Sequence, residues 1–307
     1  MKKRALALVC ALTFGALTLS ACGGASGEPT QASVPAETQA AEESASAGTV
    51  AAEAEEPETA QTGEKGTVTV AATPVPHAEI LEAAKPLMEE KGWTLEVVEF
   101  TDYVQPNEVV ESGDIDANYF QHINYMESYN EEKGTHLVSA GEIHYEPLGI
   151  YPGKESDLNN ISDGAEIAVP NDTTNEGRAL LLLQENGLIT LDPEAGITAT
   201  VMDITENPHN LEIVELQAEQ VARTLPDVAF GVVNGNYALQ AGLSTSDAVA
   251  LETADSEAIQ QYVNVIAVKE GNENKEGIQA LVEVLKSDEI RTFINDTYQG
   301  SVVPYEE

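Results

Sequence analysis

Cysteine is nearly absent from this chain of 307 residues, which has only Cys10 and Cys22. Residues 23–307 therefore have no disulfide framework, no cysteine ligand for a metal and no thiol nucleophile. The stability of that part must come from a packed apolar core, and about 240 residues are enough to bury one.

Positive charge is also scarce, with 14 Lys and Arg against 53 Asp and Glu and a formal net charge of −39. Such a surface repels phosphates, so a nucleic-acid partner is excluded and anionic lipid headgroups are disfavoured. The acidic residues are scattered along the chain, and no calcium loop of the Asp-x-Asp-x-Asp-Gly type is present. The acidity therefore indicates a solvated surface.

The chain has no apolar run long enough to span a bilayer. Its longest, Ala5–Leu19, has about 15 residues, fewer than a transmembrane helix needs. It follows the basic Met1–Arg4 and ends at Cys22, an order typical of an export signal. Leu-Ser-Ala-Cys resembles a bacterial lipobox, so we predict a signal peptide at residues 1–21 and a membrane anchor of palmitate-type chains on Cys22. The protein would then lie at the extracytoplasmic face of the cell membrane; the alternative is an ordinary signal with an incidental cysteine.

Aromatic residues are missing between Cys22 and Gly66, where Val34 and Val50 are the only branched apolar residues. A segment of this composition buries too little surface to offset its ordering entropy. We predict that residues 22–66 form a disordered acidic tether.

Residues 67–307 alternate between strand and helix patterns. Strands are predicted at 67–72, 95–100, 166–170, 212–216, 228–233 and 263–268, and helices at 80–90, 107–112, around 178–183, 278–285 and 290–294. This alternation predicts an α/β fold with mostly parallel sheets covered by helices. Two sub-cores fit the pattern, with one lobe at 67–145 plus 262–307 and the other at 146–261. A ligand cleft is expected between them.

Arg178 is one of three arginines after residue 66, and it lies in the first turn of an apolar helix. Free backbone N–H groups and a guanidinium in one place suit a ligand carboxylate. A structural salt bridge is the alternative for this arginine. The amides of Asn171, Asn175 and Asn234 are candidates to orient an ammonium and a carboxylate, although asparagines in loops are commonly turn or cap residues.

Tyr103, Phe120, His122 and Tyr125 are candidates for the wall of a pocket for an apolar or thioether side chain. Core packing is the alternative for these four residues.

Neither a metal site nor a catalytic site is predicted. The spacings of His122, His136 and His144 match no zinc motif, so no metal is expected. No serine-nucleophile motif and no phosphate-binding glycine loop is present. We therefore expect a protein that is not an enzyme and needs no cofactor.

Several of these segments resemble one family, the NlpA-type methionine-binding lipoproteins, which are substrate-binding components of bacterial methionine ABC importers. The matching segments are Pro76–Ile80 (PHAEI), Phe100–Asn107 (FTDYVQPN), Gly113–His122 (GDIDANYFQH), Pro170–Asp172 (PND), Asn175–Leu183 (NEGRALLLL), Glu206–Pro208 (ENP) and Asn234–Ala238 (NGNYA). Together they extend over nearly all of residues 67–305.

The resemblance implies a two-lobed periplasmic-binding-protein architecture of type II. It also implies a carboxylate contact at Arg178, contacts to the ligand's amino and carboxylate groups at Asn175 and Asn234, and the aromatic pocket described above. The expected function is to bind L-methionine and deliver it to the permease and ATPase subunits of an ABC transporter. Thr173 stands where the family usually has proline, and residues 144–149 also depart from its pattern. A methionine-containing dipeptide, another amino acid, or a role as an acidic surface adhesin are the alternatives.

Overall fold

Two large mixed β-sheets organise residues 65–252 and 261–306, the parts of the chain that the computed structural model describes. These residues belong to one compact unit, residues 59–307. The predicted signal peptide, Cys22 and most of the predicted tether lie outside the described residues.

The described residues include thirteen strands and eight α-helices. The strands are β1 (Gly66–Ala72), β2 (Trp93–Glu99), β3 (Ala117–His122), β4 (Leu137–Tyr145), β5 (Gly149–Pro152), β6 (Glu166–Pro170), β7 (Thr190–Leu191), β8 (Ile204–Glu206), β9 (Glu212–Leu216), β10 (Phe230–Val233), β11 (Ala250–Leu251), β12 (Val263–Lys269) and β13 (Val303–Pro304). The helices are α1 (Glu79–Glu90), α2 (Gln105–Ser112), α3 (Ile123–Lys133), α4 (Thr173–Glu185), α5 (Ala218–Thr224), α6 (Gly235–Gln240), α7 (Glu276–Leu285) and α8 (Asp288–Tyr298).

The six-stranded sheet has the order β13-β4-β12-β3-β1-β2, and the five-stranded sheet has the order β11-β5-β10-β6-β9. β1 is parallel to β2 and β3, and β6 is parallel to β9 and β10. β12 is antiparallel to β3 and β4, and β5 is antiparallel to β10 and β11. The prediction of mostly parallel sheets is therefore wrong at β5, β12 and the edge strand β13, which run opposite to their neighbours. β5 and β12 each follow a passage of the chain from one sheet to the other and enter the new sheet in the opposite direction.

Each sheet packs its own apolar core. α1, α7 and α8 cover one face of the six-stranded sheet, where Ile80, Leu81 and Leu281 are fully buried. α4 covers one face of the five-stranded sheet with Leu180 and Leu183. The wholly apolar run of α4 is thus explained, because this helix is enclosed on nearly all sides.

Only three residues, 146–148, connect β4 in the first sheet to β5 in the second. The return passage runs from β11 to β12, and residues 253–260 of it lie outside the described residues. Within the described ranges, no helix is both long and apolar enough to cross a bilayer.

Candidate functional site

A cavity lies between the two sheets, at the carboxyl ends of their parallel strands. Tyr103 follows β2, His122 ends β3, Glu146 follows β4, and Asn234 follows β10. Open α/β sheets bind ligands at this edge because loops and helix N-termini converge there. The cavity leaves about 330 Å³ free of atoms, counting its open mouth. Its lining consists of Tyr103, Phe120, Gln121, His122, Tyr125, Glu146, Asn175, Arg178, Asn234, Gly235, Asn236 and Asn264.

Seven of the eight side chains predicted for the site line this cavity, and Asn171 does not. Asn171 is exposed and lies in a separate surface groove with Glu132 and Thr173. It directly precedes Asp172, the N-cap residue of α4, so its side chain lies outside the turn that faces the cavity.

Aromatic rings form one wall of the cavity. The ring centroids of Tyr103 and Phe120 are 5.6 Å apart, as are those of Tyr103 and Tyr125. The Tyr125 hydroxyl donates to the Tyr103 carbonyl at 3.0 Å. Burial raises the pKa of Tyr103 well above its usual value, so its hydroxyl stays protonated and donates to Asn236 Oδ1 at 2.6 Å. This wall suits an apolar or sulfur-containing side chain.

The protonation state of His122 follows from its two partners. Nδ1 accepts the Tyr125 backbone N–H at 3.1 Å, so Nε2 carries the proton and donates to Asn175 Oδ1 at 3.1 Å. Burial and, second, the Arg178 charge lower the pKa of His122 to about 3, so the ring is neutral. His122 thus joins β3 in the first sheet to α4, the helix that packs on the second.

Two asparagine amides in the cavity have unused hydrogen-bonding atoms. Asn175 Oδ1 accepts from Asn234 Nδ2 at 2.8 Å, which orients the Asn234 amide. Asn234 Oδ1 and Asn236 Nδ2 are then buried without a hydrogen-bond partner among the described residues. Buried polar groups are almost always paired, so one acceptor and one donor are available to a ligand.

Arg178 is buried and is held in place from two sides. Its Nε donates to the Glu252 carboxylate oxygens at 3.0 and 3.2 Å, and its Nη2 donates to Glu252 Oε2 and to the Glu146 carbonyl. Its guanidinium carbon lies 4.1 Å from the centre of the Tyr262 ring. The salt bridge considered as an alternative therefore exists. Arg178 nevertheless lines the cavity, so its guanidinium is available to a ligand while it is held by Glu252.

Glu146 lines the cavity, although the sequence indicated only a lobe boundary at this position. Its carboxylate contacts two buried histidines, with Oε1 2.7 Å from His144 Nε2 and 3.4 Å from His77 Nε2. Among the described residues, these three are the one group whose ligating atoms lie close enough to hold a metal, all within 4.8 Å of one another. The spacing of His122, His136 and His144 gave no sign of it, because His77 is distant in sequence and the third member is a glutamate.

Other lining residues were missed although they belong to the motifs already noted. Gln121 precedes His122, and Gly235 and Asn236 follow Asn234 directly. Asn264 is the exception, because it lies in β12 with no polar motif around it. The first three lie directly beside His122 and Asn234, and that position within the same motifs was the signal that could have pointed to them.

Known proteins resemble this chain over most of its length. The sequence profile of the NlpA lipoprotein family matches residues 68–306. The methionine-binding lipoprotein MetQ of Bacillus subtilis is 42% identical over 255 residues, which are 81% of this chain and 91% of that protein. The D-methionine-binding lipoprotein MetQ of Escherichia coli is 41% identical over 229 residues, 73% of this chain and 83% of that protein.

Solved structures of similar proteins indicate the same family. A lipoprotein of Ruminococcus gnavus is 65% identical, with a TM-score of 0.77, and the match covers 78% of this chain and 99% of that one. A nutrient-binding protein of Burkholderia cenocepacia, solved with methionine bound, is 42% identical with a TM-score of 0.74, covering 78% and 100% of the two chains. The two-lobed binding-protein architecture is thereby confirmed. The two MetQ relatives are named as methionine-binding lipoproteins and the Burkholderia protein holds methionine, so the family is one of substrate-binding receptors and not of enzymes. The chain belongs to the NlpA lipoprotein family.

Proposed function

We propose that this protein is a lipid-anchored receptor that binds L-methionine and delivers it to the permease and ATPase subunits of an ABC transporter. The observation that carries the proposal is the composition of one cavity, which combines an aromatic wall with a fixed guanidinium and two unpaired amide atoms. An α-amino acid with an apolar side chain has groups complementary to all of these. The relatives named for methionine binding support methionine among such amino acids.

In this proposal the ligand carboxylate contacts Arg178 and Asn236 Nδ2, because both offer N–H donors. The ligand ammonium donates to Asn234 Oδ1. The thioether lies against Tyr103 and Phe120, where sulfur near a ring edge is mildly favourable. His122 and Tyr125 complete the pocket, and Asn175 acts by orienting the Asn234 amide.

We further propose that residues 67–145 plus 262–307 form one lobe and residues 146–261 the other, and that the lobes close around the ligand. The strands support these boundaries, since β4 ends at Tyr145 and β5 begins at Gly149. The lipid on Cys22 would hold the receptor at the extracytoplasmic face, with residues 22–66 as its tether.

Calorimetric titration with a panel of ligands tests the proposal. L-Methionine should bind tightly and norleucine somewhat less tightly, because the aromatic wall is sensitive mainly to shape. Methioninamide, which lacks the carboxylate, should bind poorly. Mass spectrometry of small molecules released from the denatured protein should identify methionine. Binding of a methionine-containing dipeptide but not of methionine would replace the proposed ligand, and an absence of binding to any amino acid would favour a surface adhesin.

A further inference from the structure

Glu146 is a carboxylate that faces the cavity without a cationic partner among the described residues. The residue is 6% exposed and lies where the chain leaves the six-stranded sheet. Arg178 is nearby, but its Nη2 contacts the backbone carbonyl of Glu146 at 3.0 Å, while its side-chain pair is with Glu252. Because Arg178 is already paired with Glu252, an ionised Glu146 adds one negative charge that no described side chain balances.

The groups that hold the Glu146 carboxylate are neutral donors. They are His144 Nε2, His77 Nε2 and the backbone N–H of Asn236. Gly235 allows this close approach, because a Cβ atom there would lie 2.8 Å from Glu146 Cβ and 2.9 Å from Oε2. The carboxyl group is therefore fixed from three directions. Burial raises the pKa of Glu146, while the Asn236 N–H and the nearby Arg178 charge act in the opposite direction and favour the carboxylate.

Each of the two histidines has a hydroxyl group beside its Nδ1 atom. Thr73 Oγ1 lies 2.7 Å from His77 Nδ1, and the Tyr119 hydroxyl is in contact with His144 Nδ1. With each hydroxyl donating to Nδ1, each Nε2 carries the proton and can donate toward the Glu146 side. For His77, Nε2 also faces Asn264 Oδ1 at 3.1 Å, which is an acceptor as well. Each ring nitrogen thus has a partner consistent with a charged carboxylate.

We infer that His77 and His144 are positioning residues that hold a charged Glu146 carboxylate toward the ligand, so that the receptor requires a free ammonium group. This rests on the proposed function and extends it, because it defines the accepted class as primary amines with an apolar side chain. N-acylated amino acids are excluded, since an amide nitrogen cannot supply the missing positive charge.

The test compares methionine with desaminomethionine, in which hydrogen replaces the ammonium group. Glu146→Gln should weaken methionine binding by about 30-fold or more, as expected when a buried charge contact is lost. His144→Gln should weaken it by about 10-fold, the size of a hydrogen bond to a charged group. Desaminomethionine should bind weakly to the parent and change by no more than about 3-fold in either variant.

Two conservative variants and one control distinguish a loss of binding from a loss of the fold. Tyr119→Phe and Thr73→Val keep the shape of the side chain and remove the hydroxyl beside each histidine Nδ1. Both should weaken the binding of methionine more than the binding of desaminomethionine. The control, His136→Gln, makes the same substitution as His144→Gln at a side chain that is 63% exposed and far from Glu146. This variant should bind methionine like the parent. Thermal unfolding of every variant checks that the fold is retained.

Equal losses for both ligands would overturn the inference, since a merely structural role affects them alike. Stoichiometric Zn²⁺ binding by the parent, lost in His77→Gln, would also overturn it, because the same nitrogens would then serve a metal. If the parent binds no methionine at all, the proposed function fails first, and that result is distinct from either of these.

Discussion

At the scale of single residues, Arg178 is both a predicted ligand contact and a member of a buried ion pair that stabilises the fold. Arg178 and Glu252 are 4% and 12% exposed, and they form a buried ion pair between residues 74 positions apart. Burial alone would raise the pKa of Glu252, but the Arg178 charge and the hydrogen bonds to the carboxylate lower it below its usual value. Removal of one partner leaves the other charge buried and unpaired.

Arg178→Met should therefore lower the free energy of unfolding by about 3–5 kcal/mol. The double variant Arg178→Met, Glu252→Leu should recover most of this loss, because no unpaired charge remains. Methionine affinity should fall by about 2–5 kcal/mol in both. Urea denaturation measures the first effect and calorimetric titration the second. A double variant that binds like the parent would place the ligand carboxylate elsewhere.

At the scale of elements, the N-terminus of α4 meets the C-terminal end of α3. Asp172 caps α4 by accepting the Asn175 backbone N–H at 3.0 Å. The hydroxyl of Thr173, the first residue of α4, donates to Glu132 Oε1 in α3 at 2.6 Å. This contact joins the helix on the second sheet to the helix that follows β3, and it uses the position where the family usually has proline.

Thr173→Pro should preserve the fold and loosen this contact. Proline is favoured in the first position of a helix, and Asp172 already has φ −85° and ψ 147°, which a following proline requires. Stability should stay within about 1 kcal/mol of the parent. Methionine should dissociate about 2- to 10-fold faster, which is the change in rate expected from the loss of one hydrogen bond. Stopped-flow dissociation measures this, with Thr173→Ser as the control that keeps the hydroxyl; equal rates in all three proteins would contradict a role in closure.

At the scale of the whole molecule, buried histidines make the stability depend on pH. Burial lowers the pKa of His77 to about 4 and those of His122 and His144 to about 3. In the unfolded chain each would take up a proton near pH 6.5. The stability that the three neutral histidines contribute is therefore complete above about pH 6.5. It is lost as the pH falls from there toward their pKa values in the folded protein. Burial raises the pKa of Glu146, which opposes this loss.

The free energy of unfolding should accordingly fall between about pH 6.5 and pH 5, by up to roughly 1.4 kcal/mol per pH unit for each buried histidine. Urea denaturation at several pH values measures the slope. His144→Gln should have a shallower slope than the parent, and His136→Gln is the matched control at an exposed site. A slope that is the same in all three proteins would mean that His144 takes up its proton equally in both states.

The anchor is tested on the full chain. Cys22→Ser should release the protein from the membrane fraction or block its processing, because the lipid is the proposed attachment. Fractionation with mass measurement of the mature chain distinguishes these results. Full membrane retention at a normal mature mass would contradict lipidation at Cys22.

Much of the fold could be predicted from local sequence. α4 and the helix pair α7 and α8 were recognised because their apolar spacing is helical and continuous. β4 and β5 were not, since their burial depends on neighbours that enter the sheets from distant parts of the chain. The direction of β12 was missed for the same reason, as periodicity carries no information about which strands pair.

The sequence alone determined the family and most of the cavity lining, because those side chains lie in short continuous motifs at the ends of strands. Only the tertiary structure decided how these groups are charged and held. It joined Arg178 to Glu252, it brought His77 and His144 to Glu146, and it placed Asn171 outside the cavity. The physical reason is that hydrogen bonds and ion pairs act over a few ångströms, and folding alone brings residues so distant in sequence to that separation.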